Sequence, residues 1–381
     1  MSDLQSLRPA IEQATGVMIM FLVLLDIFLT VLYVRMGTSF LVKRLARLTW
    51  RGFLLIAKLS PSRRPAILSF AGPSMLLVFV VFWGMALLFG SGLIVHPKLG
   101  TAVRASSGPT PTDFITAMYV GGSSMSIVGA SNFEPQTKGF RMLFLLGAIV
   151  GVSTVSLTLT YLMQVYSALL TRNALGLSLY LLSAESGDAA KAVAALGPDG
   201  QFSAGYSNLV NLAGEITELK EVHHFYPVLF YFRFRESYYS VSMSTFIALE
   251  VVTLIRSALD DGSYGWLKRS AAVEQIWRAS FLLVKALETT FVPGRSAGER
   301  ERPRNATVRL WRERYFAALP LLHQAGIETV ADEHRGADLY VSLREQWDLH
   351  IQRMAPYLAY EMADVDRVTS ALAKQGKISR S

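Results

Sequence analysis

Three stretches of the chain stay apolar for longer than the core of a soluble domain requires. Residues 16–34 read GVMIMFLVLLDIFLTVLYV, residues 73–95 read PSMLLVFVVFWGMALLFGSGLIV, and residues 140–166 read FRMLFLLGAIVGVSTVSLTLTYLMQVY. A bilayer core of roughly 30 Å takes about 20 residues of helix, so each stretch predicts a transmembrane span. The first is expected to be retained. The residues ahead of it carry Asp3, Arg8 and Glu12 instead of a basic region, and no small-residue cleavage site follows. Residues 241–259 are nearly as apolar but include Ser242, Ser244, Thr245, Glu250 and Arg256. A charge at mid-bilayer costs roughly 3 kcal/mol, so this stretch predicts a buried core helix instead.

The polar segments between the spans give the orientation. Residues 35–69 contain Arg35, Lys43, Arg44, Arg47, Arg51, Lys58, Arg63 and Arg64 and no acid. Loops rich in Lys and Arg stay on the cytoplasmic side. The N-terminus and residues 96–139 are then outside, and the tail after Tyr166 is cytoplasmic. The outer segment is mixed, with Lys98, Arg104, Asp113, Glu134 and Lys138. Leu41, Leu45 and Leu48 share one helical face of the basic loop, with Lys43, Arg44, Arg47 and Arg51 opposite. That pattern suits either a helix lying on the inner membrane surface near anionic lipid or a solvated linker.

Composition agrees with a membrane class. Of 381 residues 51% are hydrophobic, and the mean hydropathy is +0.34. The formal net charge of +8 would suggest nucleic acid in a soluble protein. Here the basic residues cluster beside apolar segments, and no nucleic-acid partner is expected. The chain has no cysteine, which excludes disulfides and thiolate metal sites. No G-x-S-x-G, phosphate-binding loop or H-E-x-x-H is present, so no covalent chemistry, metal or cofactor is expected and the chain does not read as an enzyme.

The segment that carries function is 113–136, DFITAMYVGGSSMSIVGASNFEPQ, lying outside between two spans. A short apolar run from Phe114 to Val120 suits a helix too short to cross a membrane. Small and polar residues follow: Gly121, Gly122, Ser123, Ser124, Ser126, then Gly129 to Asn132 and Pro135. Such a segment enters a bilayer only where its backbone is buried in protein or lines water. Span, re-entrant loop and span resemble the bacterial members of the potassium-channel superfamily that carry one pore loop per chain. The acid in the first span, Leu24-Leu25-Asp26, and the stretch His224-Phe225-Tyr226-Pro227-Val228-Leu229 in the tail look like others of that group.

The resemblance implies a homotetramer that conducts a monovalent cation, potassium, passively through a filter of backbone carbonyls. The family's T-V-G-Y-G-Asp, laid on without gaps, falls on Ile127, Val128, Gly129, Ala130, Ser131 and Asn132. Val128 and Gly129 match. Ile127 lacks the threonine hydroxyl, Ala130 the aromatic ring, Ser131 the glycine and Asn132 the acid. These departures put potassium selectivity in doubt, and a non-conducting or weakly selective channel-like sensor or scaffold is the alternative. A subunit of the four-repeat potassium-uptake type is a further rival, although one span-loop-span unit would need four chains. The resemblance also implies a multi-pass protein of the bacterial plasma membrane.

The third span fits a pore-lining helix. Gly147 and Gly151 form a G-x-x-x-G pair that permits close helix approach or a gating hinge. Ser153, Ser156 and Thr160 share one face, which either lines a wet cavity or bonds a neighbouring helix. Asp26, in mid-span, either senses protons or an ion, or is neutral and bonded within the helix bundle, for instance through Thr30. His223 and His224 are expected on the surface, and Arg233 and Arg235 on a solvated face rather than at an anion or acidic lipid. Residues 293–314, rich in Arg, read as a solvated linker, and Gly197-Pro198-Asp199-Gly200 as a turn.

The expected fold is therefore an all-α membrane protein: three transmembrane helices with a re-entrant pore loop, plus a mainly helical cytoplasmic domain. The divisions are 1–35 for the N-terminus and first span, 36–69 for the basic segment, 70–170 for the pore domain with its loop at 112–136, and 171–381 for the tail. The tail assembles or gates the pore through a cytoplasmic ligand or partner that the sequence does not name. It lacks a G-x-G-x-x-G opening, unlike a nucleotide-binding domain.

Overall fold

The computed structural model describes residues 2–33, 41–126, 129, 132–293 and 303–378. The chain is 81% helical. It divides into two compact units, Met1–Phe53 with Gly72–Tyr166, and Leu54–Ala71 with Ser167–Ser381.

In the first unit, α1 covers Ser2–Ile27 and runs into one π-helical turn, Phe28–Leu32. It begins well before the apolar stretch at 16–34, because Pro9 lies within the helix and does not stop it. The basic segment is also helical: α2, Leu41–Leu59, begins in this unit and ends in the second, and α3, Arg64–Ser69, belongs to the second. The apolar helix α4 is Ala71–Val95, α5 is Phe114–Met125, and α6 is Lys138–Leu182. At 1.5 Å per residue, the 45 residues of α6 measure about 68 Å. That is more than twice the bilayer core, so the expected span 140–166 is only part of one unbroken helix. Two short strands, β1 at Val103–Ala105 and β2 at Phe133–Pro135, pair antiparallel.

Large apolar side chains on these helices remain uncovered: Phe21 and Leu22 on α1, Leu77 and Val81 on α4, Leu145 and Ile149 on α6. Exposed apolar surface on this scale needs a cover other than water. Leu7–Leu32, Ala71–Lys98 and Lys138–Leu182 are long and apolar enough to cross a membrane, with 28%, 44% and 11% of their apolar windows buried. Val241–Ala258 also qualifies by length and composition, but 94% of it is buried inside its own unit. The expected core helix is what is found there.

The second unit adds α7 (Ala189–Leu196), α8 (Ser203–Phe225), α9 (Val241–Ala258), α10 (Asp261–Lys268), α11 (Ala271–Phe291), α12 (Asn305–Gln324), α13 (Glu333–Arg344), α14 (Asp348–Tyr357), α15 (Met362–Val365) and α16 (Arg367–Ile378). The apolar α9 is the hub, packed by α7, α11, α12, α13 and α14. Its one acid, Glu250, is fully buried, and Arg344 lies 3.2 Å from it. Arg314 and the Tyr340 hydroxyl also bond Glu250, and Asp366 pairs with both arginines. Burial alone would raise the Asp366 carboxyl, but Arg314 and Arg344 hold it below the usual range.

Three expectations for the tail are corrected here. Residues 293–314 are not all linker: 294–302 lie outside the described residues, but α12 starts at Asn305 and buries Trp311 and Arg314. His223 is not on the surface. It is fully buried on α8, and its Nδ1 lies 2.9 Å from the Leu219 carbonyl. Arg233 is not solvated. Its guanidinium donates to the Pro65 and Ala359 carbonyls and lies 4.7 Å from the Tyr360 ring. Arg235 is exposed as expected, and the turn at 197–200 forms, with Asp199 and Gly200 both at positive φ.

Candidate functional site

The segment singled out by the sequence starts and ends at one place. Residues 106–132 leave from β1 and return into β2, where Val103 faces Pro135 and Ala105 faces Phe133. Two bonds extend the clasp: Ser106 N–H donates to the Asn132 carbonyl at 3.0 Å, and Gln136 N–H to the Ala102 carbonyl at 2.8 Å. Both ends therefore lie side by side.

Within the segment, α5 begins at Phe114 because Asp113 caps it. The Asp113 carboxylate accepts from the Thr116 N–H at 2.9 Å and from the Thr116 hydroxyl at 2.7 Å. Those two bonds hold the Asp113 carboxyl below its usual range. The 12 residues of α5 measure about 18 Å. The helix is anchored by a small core in which Ala117 and Val120 meet Val95, Leu99 and Val103, with Phe133, Phe140 and Phe144 around them. Gly121 lets α5 touch α4: a Cβ there would lie 2.6 Å from the Ser91 hydroxyl.

Of the six filter positions, Gly129 and Asn132 are described; Ile127, Val128, Ala130 and Ser131 lie outside the described residues. Gly129 has φ +74°, the left-handed region that glycine enters freely. Its N–H donates to the Ser126 carbonyl at 3.3 Å.

The G-x-x-x-G pair of α6 faces the end of α5. A Cβ on Gly151 would lie 1.8 Å from the Met125 carbonyl oxygen, and one on Gly147 3.2 Å from the Ser124 hydroxyl. Of the two roles open to this pair, close approach is the one the geometry carries, and α6 continues unbroken through it. Ser153, Ser156 and Thr160 are exposed on α6, and the Thr160 hydroxyl donates to the Ser156 carbonyl at 3.0 Å. An apolar cavity of about 70 Å³ lies behind α5, lined in part by Ser91, Gly121, Ser124, Met125 and Gly147.

Asp26 is 4% exposed. It accepts from the Trp83 indole N–H at 2.9 Å and from the Leu41 N–H, the first amide of α2, at 3.2 Å. Its expected partner Thr30 is buried, and its hydroxyl finds no bond among the described residues. Asp26 is also less central than expected. Leu32 ends the helix about 9 Å further on, and the positive end of α2 meets the carboxylate. Sequence reading missed the contact at the other end of α1, where Glu12 lies 2.5 Å from His96 and the His96 ring packs edge-on to Phe114. Only the acid and the histidine flanking two predicted spans could have hinted at it.

No protein-family model matches the chain, and no solved structure matches it. A protein of Bacillus subtilis described as "Uncharacterized membrane protein YdjJ" is 19% identical over 257 residues, covering 65% of this chain and 70% of the relative. With that relative and its apolar helices, the chain is a helical membrane protein.

Proposed function

We propose that the chain is one subunit of a tetrameric cation channel of the plasma membrane, each chain giving three spans and one re-entrant pore loop. The permeant ion is a monovalent cation, potassium first. The observation that carries this reading is the β1–β2 clasp around residues 106–132. A segment whose ends are bonded together enters and leaves on one side, and a helix of about 18 Å fits a re-entrant loop better than a crossing of roughly 30 Å. The C-terminal end of α5, the negative end of its dipole, leads into the filter positions, which favours a cation there. Gly129 at positive φ supplies a backbone turn that filter carbonyls need.

The hydroxyls of Ser153, Ser156 and Thr160 line the cavity below the filter in this reading. The uncovered apolar surface of α6 is shared between lipid and neighbouring chains. The second reading, a channel-like sensor or scaffold that conducts poorly or not at all, draws its support from Ile127, Ala130 and Ser131, where the usual filter residues are missing.

A single pore loop cannot surround an ion, so closed fourfold assembly is required. Native mass spectrometry of the full chain in mild detergent should give four-chain assemblies. Monomers and dimers alone would refute the reading.

A further inference from the structure

Helix α2 presents three distinct faces. Val42, Ala46, Trp50 and Ala57 are buried on one. Arg44, Arg47, Arg51 and Lys58, spaced by three, four and seven residues, are exposed on a second. Leu48, Leu55 and Leu59 are 64%, 63% and 86% exposed on a third, which borders the basic one. An exposed leucine stripe is costly in water, and here it adjoins a row of cations.

The helix has no acidic counterpart in its own part of the chain. No Asp or Glu occurs between Asp26 and Asp113. The place of α2 is set by its neighbours in sequence, since it follows the apolar α1 and precedes the apolar α4. Its first amide is bonded to Asp26, on α1 itself. A helix tied to the end of a span in this way is suited to the level where that span leaves the hydrocarbon.

We propose that α2 is a binding site for anionic lipid headgroups, with Arg47, Arg51 and Lys58 reaching the phosphates while Leu48, Leu55 and Leu59 enter the acyl region. An acidic protein surface would satisfy the cations but leave the leucines in water, whereas a bilayer surface serves both stripes. The inference is independent of whether the chain conducts.

The test is native mass spectrometry of the full-length protein, titrated with phosphatidylglycerol or with phosphatidylcholine of the same acyl chains. The wild type should bind phosphatidylglycerol at least tenfold more tightly. The combined variant Arg47→Gln, Arg51→Gln, Lys58→Gln should lose that preference, and Arg47→Lys with Arg51→Lys should keep it. Raising salt from 0.1 to 1 M contracts the screening length from about 10 to 3 Å and should erase the preference of the wild type without any mutation. No preference in the wild type, a preference that survives the glutamine variant, or one that survives high salt would overturn the proposal.

Discussion

The carboxylate of Asp26 accepts a 2.9 Å hydrogen bond from the indole N–H of Trp83, fifty-seven positions away in sequence. Its second bond, from the first amide of α2, makes Asp26 the point where α1, α2 and α4 meet. A buried carboxylate that accepts from both α2 and α4 is a structural tie. Trp83→Phe removes one donor and should cost about 1–3 kcal/mol, the range for a buried group that loses its partner. A double-mutant cycle with Asp26→Leu, read by thermal unfolding in detergent, should show coupling of the same order. Additive losses would mean that the pair is not a tie.

The α5–α6 approach predicts a contrast between glycines. Gly151→Ala places a methyl group 1.8 Å from the Met125 carbonyl. One helix must shift, at roughly 1–3 kcal/mol or more. Gly139, also in α6, has open space around it, and Gly139→Ala should be neutral or gain up to about 1 kcal/mol. Unfolding midpoints of the two variants check this directly. Equal behaviour would argue against the close approach.

His223 predicts a pH dependence of the tail. Burial, reinforced by the nearby Arg172, lowers the imidazole to about 3 from an ordinary value of 6.5. The Leu219 carbonyl can only accept, so Nδ1 carries the proton and donates, and Nε2 is bare. A depressed value means that the unfolded chain takes up a proton first. The stability held above pH 6.5 is therefore lost as pH falls from about 6.5 to 3, at up to about 1.4 kcal/mol per pH unit. His223→Leu should flatten that slope. Unfolding of wild type and variant at pH 5 and 7 measures it, and identical slopes would contradict the assignment.

What could be read from the sequence was what local pattern encodes. The apolar runs at 16–34, 73–95 and 140–166 predicted helices because each stays mainly apolar over about 20 residues or more, the length of a span. The α5 helix was visible from the apolar run Phe114 to Val120, although it extends on to Met125. Burial of charge was not legible, because it depends on partners far away along the chain. Glu250 meets Arg314 and Arg344 across 64 and 94 positions, so the charges of 293–314 looked solvated when Arg314 is not. Arg233 was misread for the same reason, since its acceptors are the carbonyls of Pro65 and Ala359. The β1–β2 clasp went unseen because three-residue strands leave no alternation to detect.

Under the proposed channel reading, residues 127–132 predict weak potassium preference over sodium in the native chain. Ile127, Ala130 and Ser131 lack the hydroxyl, the ring and the glycine that hold carbonyl dipoles in place. A tenfold preference is only about 1.4 kcal/mol, so small distortions remove it. Restoring Ile127→Thr, Ala130→Tyr and Ser131→Gly together should raise the potassium preference, read as a shift of the reversal potential under mixed-ion conditions. A native chain that already selects potassium strongly would contradict this.

The central claim is conduction, and the direct measurement is cation flux through the purified full chain in sealed liposomes under a potassium gradient. The account predicts potassium release faster than from protein-free liposomes, abolished when Gly151→Leu drives α6 away from the end of α5. Folded, tetrameric protein that leaves the gradient of potassium and of sodium intact would contradict it.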